Sequence, residues 1–331
     1  MRSPLPPGFT RRSVLGSVAA LSATALSPSW AQAPYPSKPI KLLVGYAPGG
    51  SVDMAARVVA DILQAQLGAT VVIENASGAA GTLAAQRLVQ APADGYTLMT
   101  GSSNEFAATR QVNPAQRYDP LKDLTPLALV ATAPVLLVAG SGVGVKNLDD
   151  FIKLVKRSPG KYSYGTSGIG STLHFAAEMI KQRAGLFITH IPYRGTAPLL
   201  NDLAGGAIEF AMISPTAAMP FIQSGRLVPL GITSSTRFPS LPQVPAVAEH
   251  PLMKGFELSG WFAAAAPNGL PPELAQRLRT ALQAGLAEPA YAKRLQDGGA
   301  FPASGREDLA RLMRDDTAKY GAMVKVANFR E

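Results

Sequence analysis

Two glycine-rich turns carry the residues of this chain best suited to hold a ligand. The first is Pro48-Gly49-Gly50-Ser51-Val52-Asp53, and the second is Gly165-Thr166-Ser167-Gly168-Ile169-Gly170-Ser171-Thr172. Each follows a run with strand character and opens a helical pattern. Glycine lets a backbone come close to a ligand, and the first N–H groups of a helix have no intrahelical acceptor, so such turns attract anions. The second turn adds the hydroxyls of Thr166, Ser167, Ser171 and Thr172. One such turn alone is an ordinary connection; two of them, one in each half of the chain, read as opposing jaws around a small carboxylate. Helix dipoles and neutral donors hold an anion without the desolvation cost of a buried ion pair.

Other chemistry finds little support. There is no G-x-x-x-x-G-K-[ST] and no H-E-x-x-H, and Gly45-Tyr46-Ala47-Pro48-Gly49-Gly50 is not a dinucleotide fingerprint. The stretch Gly165–Ile169 lacks the last glycine of a nucleophile elbow. Ser158-Pro159-Gly160-Lys161 matches S-x-x-K, but its proline and glycine make a turn. His174 and Glu178 stand at i, i+4 spacing with no third metal ligand evident, so a local pair is the expected reading. Chemistry is therefore expected to be absent: no catalytic residue, no metal and no cofactor.

The elements that must position the two turns alternate. Ile40–Val44 reads as a buried strand, and Ser51 as the N-cap of a helix closed by Gly68, with Asp53 in its first turn. Val71–Ile73 is a second strand, Ala79–Gln90 a helix and Tyr96–Thr100 a third strand. This βαβαβ order implies a parallel sheet. The grammar restarts with a helix to Arg157, a strand at Tyr162–Gly165, a helix at Ser171–Ala184, and strands at Ile188–Ile191, Ile208–Ile213 and Val228–Thr233. Residues 236–253 read as irregular. Helices at Pro271–Leu286 and Glu307–Val324 close the chain. The connecting runs Leu127–Val138 and Gly260–Ala266 are apolar. Two crossings bring the last helices back to the first unit, and ligands sit in clefts of this kind.

Composition fits an exported protein. Arg11-Arg12 precedes an apolar stretch to about Leu26 and the small residues Ala31-Gln32-Ala33, the order of a cleaved signal rather than of a membrane anchor. The paired arginines point to the Tat route. The absence of cysteine excludes a lipid-anchored lipoprotein and disulfides. Removing residues 1–33 takes Arg2, Arg11 and Arg12, so the net charge falls from +9 to +6. The basic run Lys153–Arg157 follows two aspartates and reads as a solvated helix face. Without interleaved aromatics it is no nucleic-acid patch. The mature chain is expected to be periplasmic, not inserted in a membrane, and a monomer.

Motifs along the whole mature chain carry a resemblance. They are Tyr35-Pro36-Ser37-Lys38-Pro39-Ile40 with Pro48-Gly49-Gly50-x-x-Asp53, Glu74-Asn75-x-x-Gly78-x-x-Gly81, Ala93-Asp94-Gly95-Tyr96-Thr97-Leu98, Tyr118-Asp119-Pro120-Leu121-Lys122-Asp123-Leu124, His190-Ile191-Pro192-Tyr193-Arg194-Gly195-x-x-Pro198 and Asp202-Leu203-x-Gly205-Gly206. In these the chain resembles the Bug-type extracytoplasmic solute receptors, the TctC-like binding proteins of tripartite tricarboxylate transporters. The resemblance implies an α/β, two-domain Venus-flytrap fold of the periplasmic-binding-protein kind, with a two-crossing hinge. Residues 34–131 with 260–331 would form one domain and 132–259 the other. It implies capture of a small carboxylate (a di- or tricarboxylate, an amino acid or an aromatic acid) and its delivery to the membrane subunits of a transporter.

The ligand residues it implies are Ala47, Gly49, Gly50 and Asp53 on one side, and Thr166, Ser167, Gly170, Ser171 and Thr172 on the other. Asp53 would hold the loop or a bridging water, or cap the helix, because as an anion it cannot attract a carboxylate. The sequence departs from the family after the third strand, at Ser102-Ser103-Asn104-Glu105-Phe106. There Asn104 or Glu105 is expected to contact the distal part of the ligand, Glu105 favouring an amino or other cationic group; the alternative is an exposed loop acid. Two other functions compete: an exported α/β hydrolase acting in the cleft, for which His174 is the nearest base, and a ligand-sensing subunit.

Overall fold

The computed structural model describes residues 35–113, 116–193 and 195–327. The export signal, its cleavage site near Ala33 and Arg194 of the 190–198 motif lie outside these residues. In chain order the elements are β1 (Ile40–Val44), α1 (Ser51–Leu67), β2 (Val71–Asn75), α2 (Thr82–Val89), β3 (Thr97–Ser102), β4 (Leu124–Pro134) and β5 (Leu136–Gly140). Then follow α3 (Leu148–Arg157), β6 (Ser163–Thr166), α4 (Thr172–Ala184), β7 (Thr189–Pro192), α5 (Thr196–Gly205), β8 (Phe210–Ile213), α6 (Pro215–Gln223) and β9 (Leu227–Ile232). The chain ends with β10 (Ser259–Pro267), α7 (Pro272–Leu286), α8 (Pro289–Asp297), β11 (Phe301–Pro302) and α9 (Leu309–Ala327).

From Lys38 onward the chain is one compact unit built on two sheets, ordered β2-β1-β3-β10-β4-β11 and β7-β6-β8-β5-β9. Both are mixed, not purely parallel. In each, the first strand lies between the second and third as a parallel neighbour (β1 between β2 and β3, β6 between β7 and β8). Next to the third strand lies an antiparallel one, β10 beside β3 and β5 beside β8. β1 is buried except at Lys41, as befits the middle of a covered parallel sheet.

The apolar run Leu127–Val138 divides between the sheets: β4 belongs to the first and β5 to the second, with Val135 between them. The return crossing enters β10 through Leu258. Thr233 ties both crossings, donating its N–H to Val135 O (2.9 Å), accepting Val135 N–H on Oγ1 (2.8 Å) and accepting Leu258 N–H on its carbonyl (3.1 Å). The last helices return to the first sheet as expected, since α7 packs on α1 and β11 pairs with β4.

Some local readings change. Gly50, not Ser51, is the N-cap of α1 and makes no side-chain cap bond; Gly68 closes the helix in the left-handed conformation as expected. The helix expected from Ala79 starts at Thr82, because Ala79 and Ala80 have φ of 47° and 50°. The C-terminal region holds a helix not anticipated, α8, which Pro289 starts.

Candidate functional site

Both glycine turns stand at the carboxyl ends of inner strands, β1 and β6. The loop after β1 is held from below. Gly45 lies against the turn before α2, so tightly that a Cβ would come within 2.5 Å of Gly81 Cα. Ala47, Pro48, Gly49 and Gly50 are exposed. Asp53 is 1% exposed. Its Oδ2 accepts Gly49 N–H (3.0 Å) and Arg57 Nε (2.8 Å), and its Oδ1 accepts Asn75 Nδ2 (2.9 Å), which also donates to Tyr46 O (2.9 Å). Burial raises its pKa, but these donors outweigh burial and hold the carboxyl below its ordinary range. Asp53 thus acts as the tether of the loop, and the Gly49 N–H is directed at that tether rather than outward. The N–H groups of Ser51 and Val52 in the first turn of α1 have no intrahelical acceptor.

The segment after β3 turns inward. Glu105 is 0% exposed, not an exposed loop acid. Its Oε1 accepts Ser102 N–H (2.8 Å) and its Oε2 accepts the Ser102 hydroxyl (2.6 Å) and faces Tyr46 OH (3.0 Å). Burial pushes its carboxyl up to about 7, against the lowering effect of these bonds. Glu105 therefore supports the site from within instead of presenting charge to a ligand. Asn104 is half-buried and reaches both ways: Nδ2 donates to Tyr46 OH (3.0 Å), and Oδ1 accepts Thr172 N–H (2.9 Å) and the Thr172 hydroxyl (3.1 Å). One side chain thus joins the loop after β1 to the start of α4. The Thr172 hydroxyl also meets Ser103 Oγ (3.0 Å) and Tyr320 OH of α9 (3.2 Å).

The loop after β6 satisfies much of itself. Ser171 is the N-cap of α4, its side chain accepting His174 N–H (3.3 Å) while its hydroxyl donates to Gly168 O (2.7 Å). Gly170 donates to His174 Nδ1 (3.2 Å) and fits so closely on Val112 that a Cβ would meet Cγ2 at 2.1 Å. Thr166 is buried, while Ser167 and Gly168 are half-buried and Ile169 is exposed. Two histidines distant in sequence stack beneath this loop, His174 on His190, with ring centroids 4.0 Å apart and planes 13° apart. Burial lowers both, His174 to about 4 and His190 to about 3, so both are neutral near pH 7. His190 Nε2 lies 2.7 Å from Thr166 Oγ1, which also lies 3.2 Å from Gly168 O. Which of the two donates follows from the tautomer of His190.

Of the expected residues, the structure joins Thr172 to the loop after β1 through Asn104 and Tyr46, and buries Asp53, Glu105 and Thr166. Sequence reasoning missed Tyr46, Asn75, Ser103, His190 and Tyr320. Asn75 and His190 sit inside quoted motifs, and Tyr46 and Ser103 inside quoted stretches, a usable signal; Tyr320 had none. A recess of about 310 Å³ beside α3, lined by Lys146, Asp150, Lys153 and Arg157 among others, contains none of these residues. There Lys153 pairs with Asp149, as a solvated helix face would. Among the described residues no group of three His, Cys, Asp or Glu could hold a metal, and no helix is long and apolar enough to cross a membrane.

Comparison with known proteins agrees with this architecture. The sequence model described as "Tripartite tricarboxylate transporter family receptor" (TctC) matches residues 55–329. The protein BugT of Bordetella pertussis is 34% identical over 293 residues, covering 88% of this chain and 90% of BugT. The solved structure of R. palustris Rpa4515 with adipate is 34% identical with a TM-score of 0.84, covering 89% of this chain and 98% of that one. MatC (Rpa3494) from Rhodopseudomonas palustris with bound malate is 30% identical with a TM-score of 0.79, covering 88% of this chain and 100% of that one.

Proposed function

The chain belongs to the tripartite tricarboxylate transporter receptor family, and from that premise we propose that it captures a small carboxylate between the loops that follow β1 and β6. It is a solute-binding receptor and not an enzyme. The observation that carries the site assignment is the Asn104 amide, which joins Tyr46 of one loop to Thr172 of the other. The N–H groups of Ala47 and Gly50, on an exposed stretch of backbone, and those of the first turn of α1 are the donors on one side. Ser167, Gly170, Ser171 and the start of α4 at Thr172 form the other side, with Asn104 between them. Gly49, Asp53, Thr166 and Glu105 hold the donors in place. A grip that holds no facing cation among the described residues suits a carboxylate held by dipoles and neutral donors.

Adipate and malate, named with two of the similar structures, are both dicarboxylates, which makes dicarboxylates the first class to test. Residues 34–131 with 260–331 and residues 132–259 would act as two bodies closing on the ligand about the crossings at Val135 and Leu258. The closed form would then be the one recognised by the transporter's membrane subunits. Export by the Tat route, cleavage near Ala33, a periplasmic location and a monomeric state complete this reading.

The test is thermal unfolding of residues 34–331 with a panel of carboxylates and their uncharged amides. A ligand at about a hundred times its Kd adds about 2.7 kcal/mol, a shift of several degrees. A shift with an acid and none with its amide is the expected result. Protein freed of co-purified ligand that shifts with no acid would overturn the reading.

A further inference from the structure

The Glu105 carboxyl ends a hydrogen-bonded chain running between the two loops. Oε2 meets Tyr46 OH at 3.0 Å, Asn104 Nδ2 donates to that same oxygen at 3.0 Å, and Asn104 Oδ1 accepts Thr172 N–H at 2.9 Å. The polarity of the chain is forced at its far end. A backbone N–H can only donate, so Asn104 must turn its oxygen to Thr172 and its amino group to Tyr46. The Tyr46 oxygen is then an acceptor, and its single proton goes to Glu105 Oε2, to Ser102 Oγ at 2.9 Å or to Ala80 O at 3.1 Å. An ionised Glu105 draws that proton; a protonated one leaves it for Ser102 Oγ or Ala80 O. Among the described residues no lysine, arginine or histidine is paired with the Glu105 carboxyl, so its charge is answered only by hydroxyls and backbone N–H groups.

We propose that Glu105 is a positioning residue for the anion site: the charge on its buried carboxyl sets the Tyr46–Asn104–Thr172 chain, and with it how firmly Asn104 holds the first N–H of α4 against a ligand carboxylate. The inference rests on the receptor reading above. Two effects share one sign. The negative charge opposes an anion nearby, and it strengthens the grip of Asn104 on the N–H that the anion needs. Carboxylate binding is therefore coupled to proton uptake at Glu105.

The groups around Glu105 allow the proton to be assigned. Tyr46, on the loop after β1, is held well above its ordinary pKa by burial first and Glu105 second. Tyr118, which donates to Glu105 O at 2.7 Å, is raised for the same two reasons in the same order. Both stay neutral. The β3 and α2 sides contribute Ser102, Gly101 and Gly81, which do not titrate. Asp53 stays ionised in the neutral range, and His174 titrates at about 4. A proton taken up near pH 7 belongs to Glu105.

The experiment follows the Thr172 backbone amide and the Asn104 side-chain amide by NMR from about pH 5.5 to about pH 8.5 in the full chain without added ligand. Both signals are expected to titrate together near neutrality, and Glu105→Gln to abolish the titration. Tyr46→Phe, which keeps the carboxyl, is expected to leave the Glu105 titration in place and remove its echo at Thr172. Calorimetry with adipate and with malate then reads the coupling. For an acid that binds, Kd is expected to rise by up to about tenfold per pH unit above the midpoint, the limit for one proton, and to lose that dependence in Glu105→Gln. Signals that do not move in this range, or that move equally in Glu105→Gln, overturn the inference. So does a Tyr46→Phe variant in which Thr172 still titrates. Failure of both acids to bind counts against the dicarboxylate reading alone, because the ligand-free titration decides the role of Glu105.

Discussion

Asp53→Asn tests the tether of the first loop while keeping the side chain's shape. The carboxylate accepts Gly49 N–H at 3.0 Å, Arg57 Nε at 2.8 Å and Asn75 Nδ2 at 2.9 Å. An amide has one oxygen, so turning it toward Asn75 sets its amino group against two donors, Gly49 N–H and Arg57 Nε. Hydrogen bonds to a charged group contribute about 1.5–3 kcal/mol each. The Arg57 side chain is 54% exposed, which discounts its share to under about 1 kcal/mol. The expected loss is about 2–3 kcal/mol, read as a lower urea midpoint at unchanged slope. The pH dependence has a definite sign. The folded pKa of Asp53 lies below 3.8, so its contribution is complete above the ordinary carboxylate range and is lost as pH falls through the folded value. Wild type and variant should differ by a constant amount above about pH 5 and converge in acid below about pH 4. The untethered Gly49–Gly50 backbone should also weaken binding of any carboxylate that stabilises the wild type. Equal urea midpoints, or a gap that does not close in acid, would refute the claim that the charge of Asp53 holds this loop.

Other outcomes follow from the same geometry. Gly45→Ala places a Cβ 2.5 Å from Gly81 Cα, backbone against backbone, and should cost about 1–3 kcal/mol in thermal unfolding; an unchanged Tm would mean the two turns are not in contact. His174, lowered from 6.5 to about 4, makes folding less favourable as pH falls from about 6.5 to about 4, since the unfolded chain binds the proton first. His174→Gln should flatten the stability profile in that window, and a slope equal to wild type would contradict the buried, neutral assignment. Trp261→Phe removes the 2.7 Å bond from Nε1 to Asp316 Oδ2, whose carboxyl is 8% exposed, and should cost about 1–3 kcal/mol by urea unfolding.

Much of the architecture is legible in one dimension because its signals are local. The apolar run of β1, the α1 stripe ending at Gly68 and the repeated strand–turn–helix grammar each lie within a short window. Two inner strands, each followed by a glycine turn and a helix, already place two donor-rich loops at strand ends. Local windows failed where a neighbour distant in sequence set the outcome. Ala79 and Ala80 favour helix by propensity, yet they adopt left-handed φ where the turn lies against Gly45 and Tyr46. The run Leu127–Val138 reads as one apolar stretch, and only pairing with β10 on one side of Val135 and with β8 and β9 on the other splits it.

At the site the division is the same. Residue types and spacing determined that this chain has two neutral, glycine-rich helix starts, because backbone donors and helix dipoles follow from local conformation. Only the tertiary structure decided which donors are already taken. It turned Asp53 into a tether, buried Glu105 with no cation beside it among the described residues, stacked His174 on His190, 16 positions further along the chain, and set Asn104 between Tyr46 and Thr172. Burial and hydrogen-bond partnership depend on which segments meet in space, and residues 46, 104 and 172 meet only because β1, β3 and β6 end at the same place.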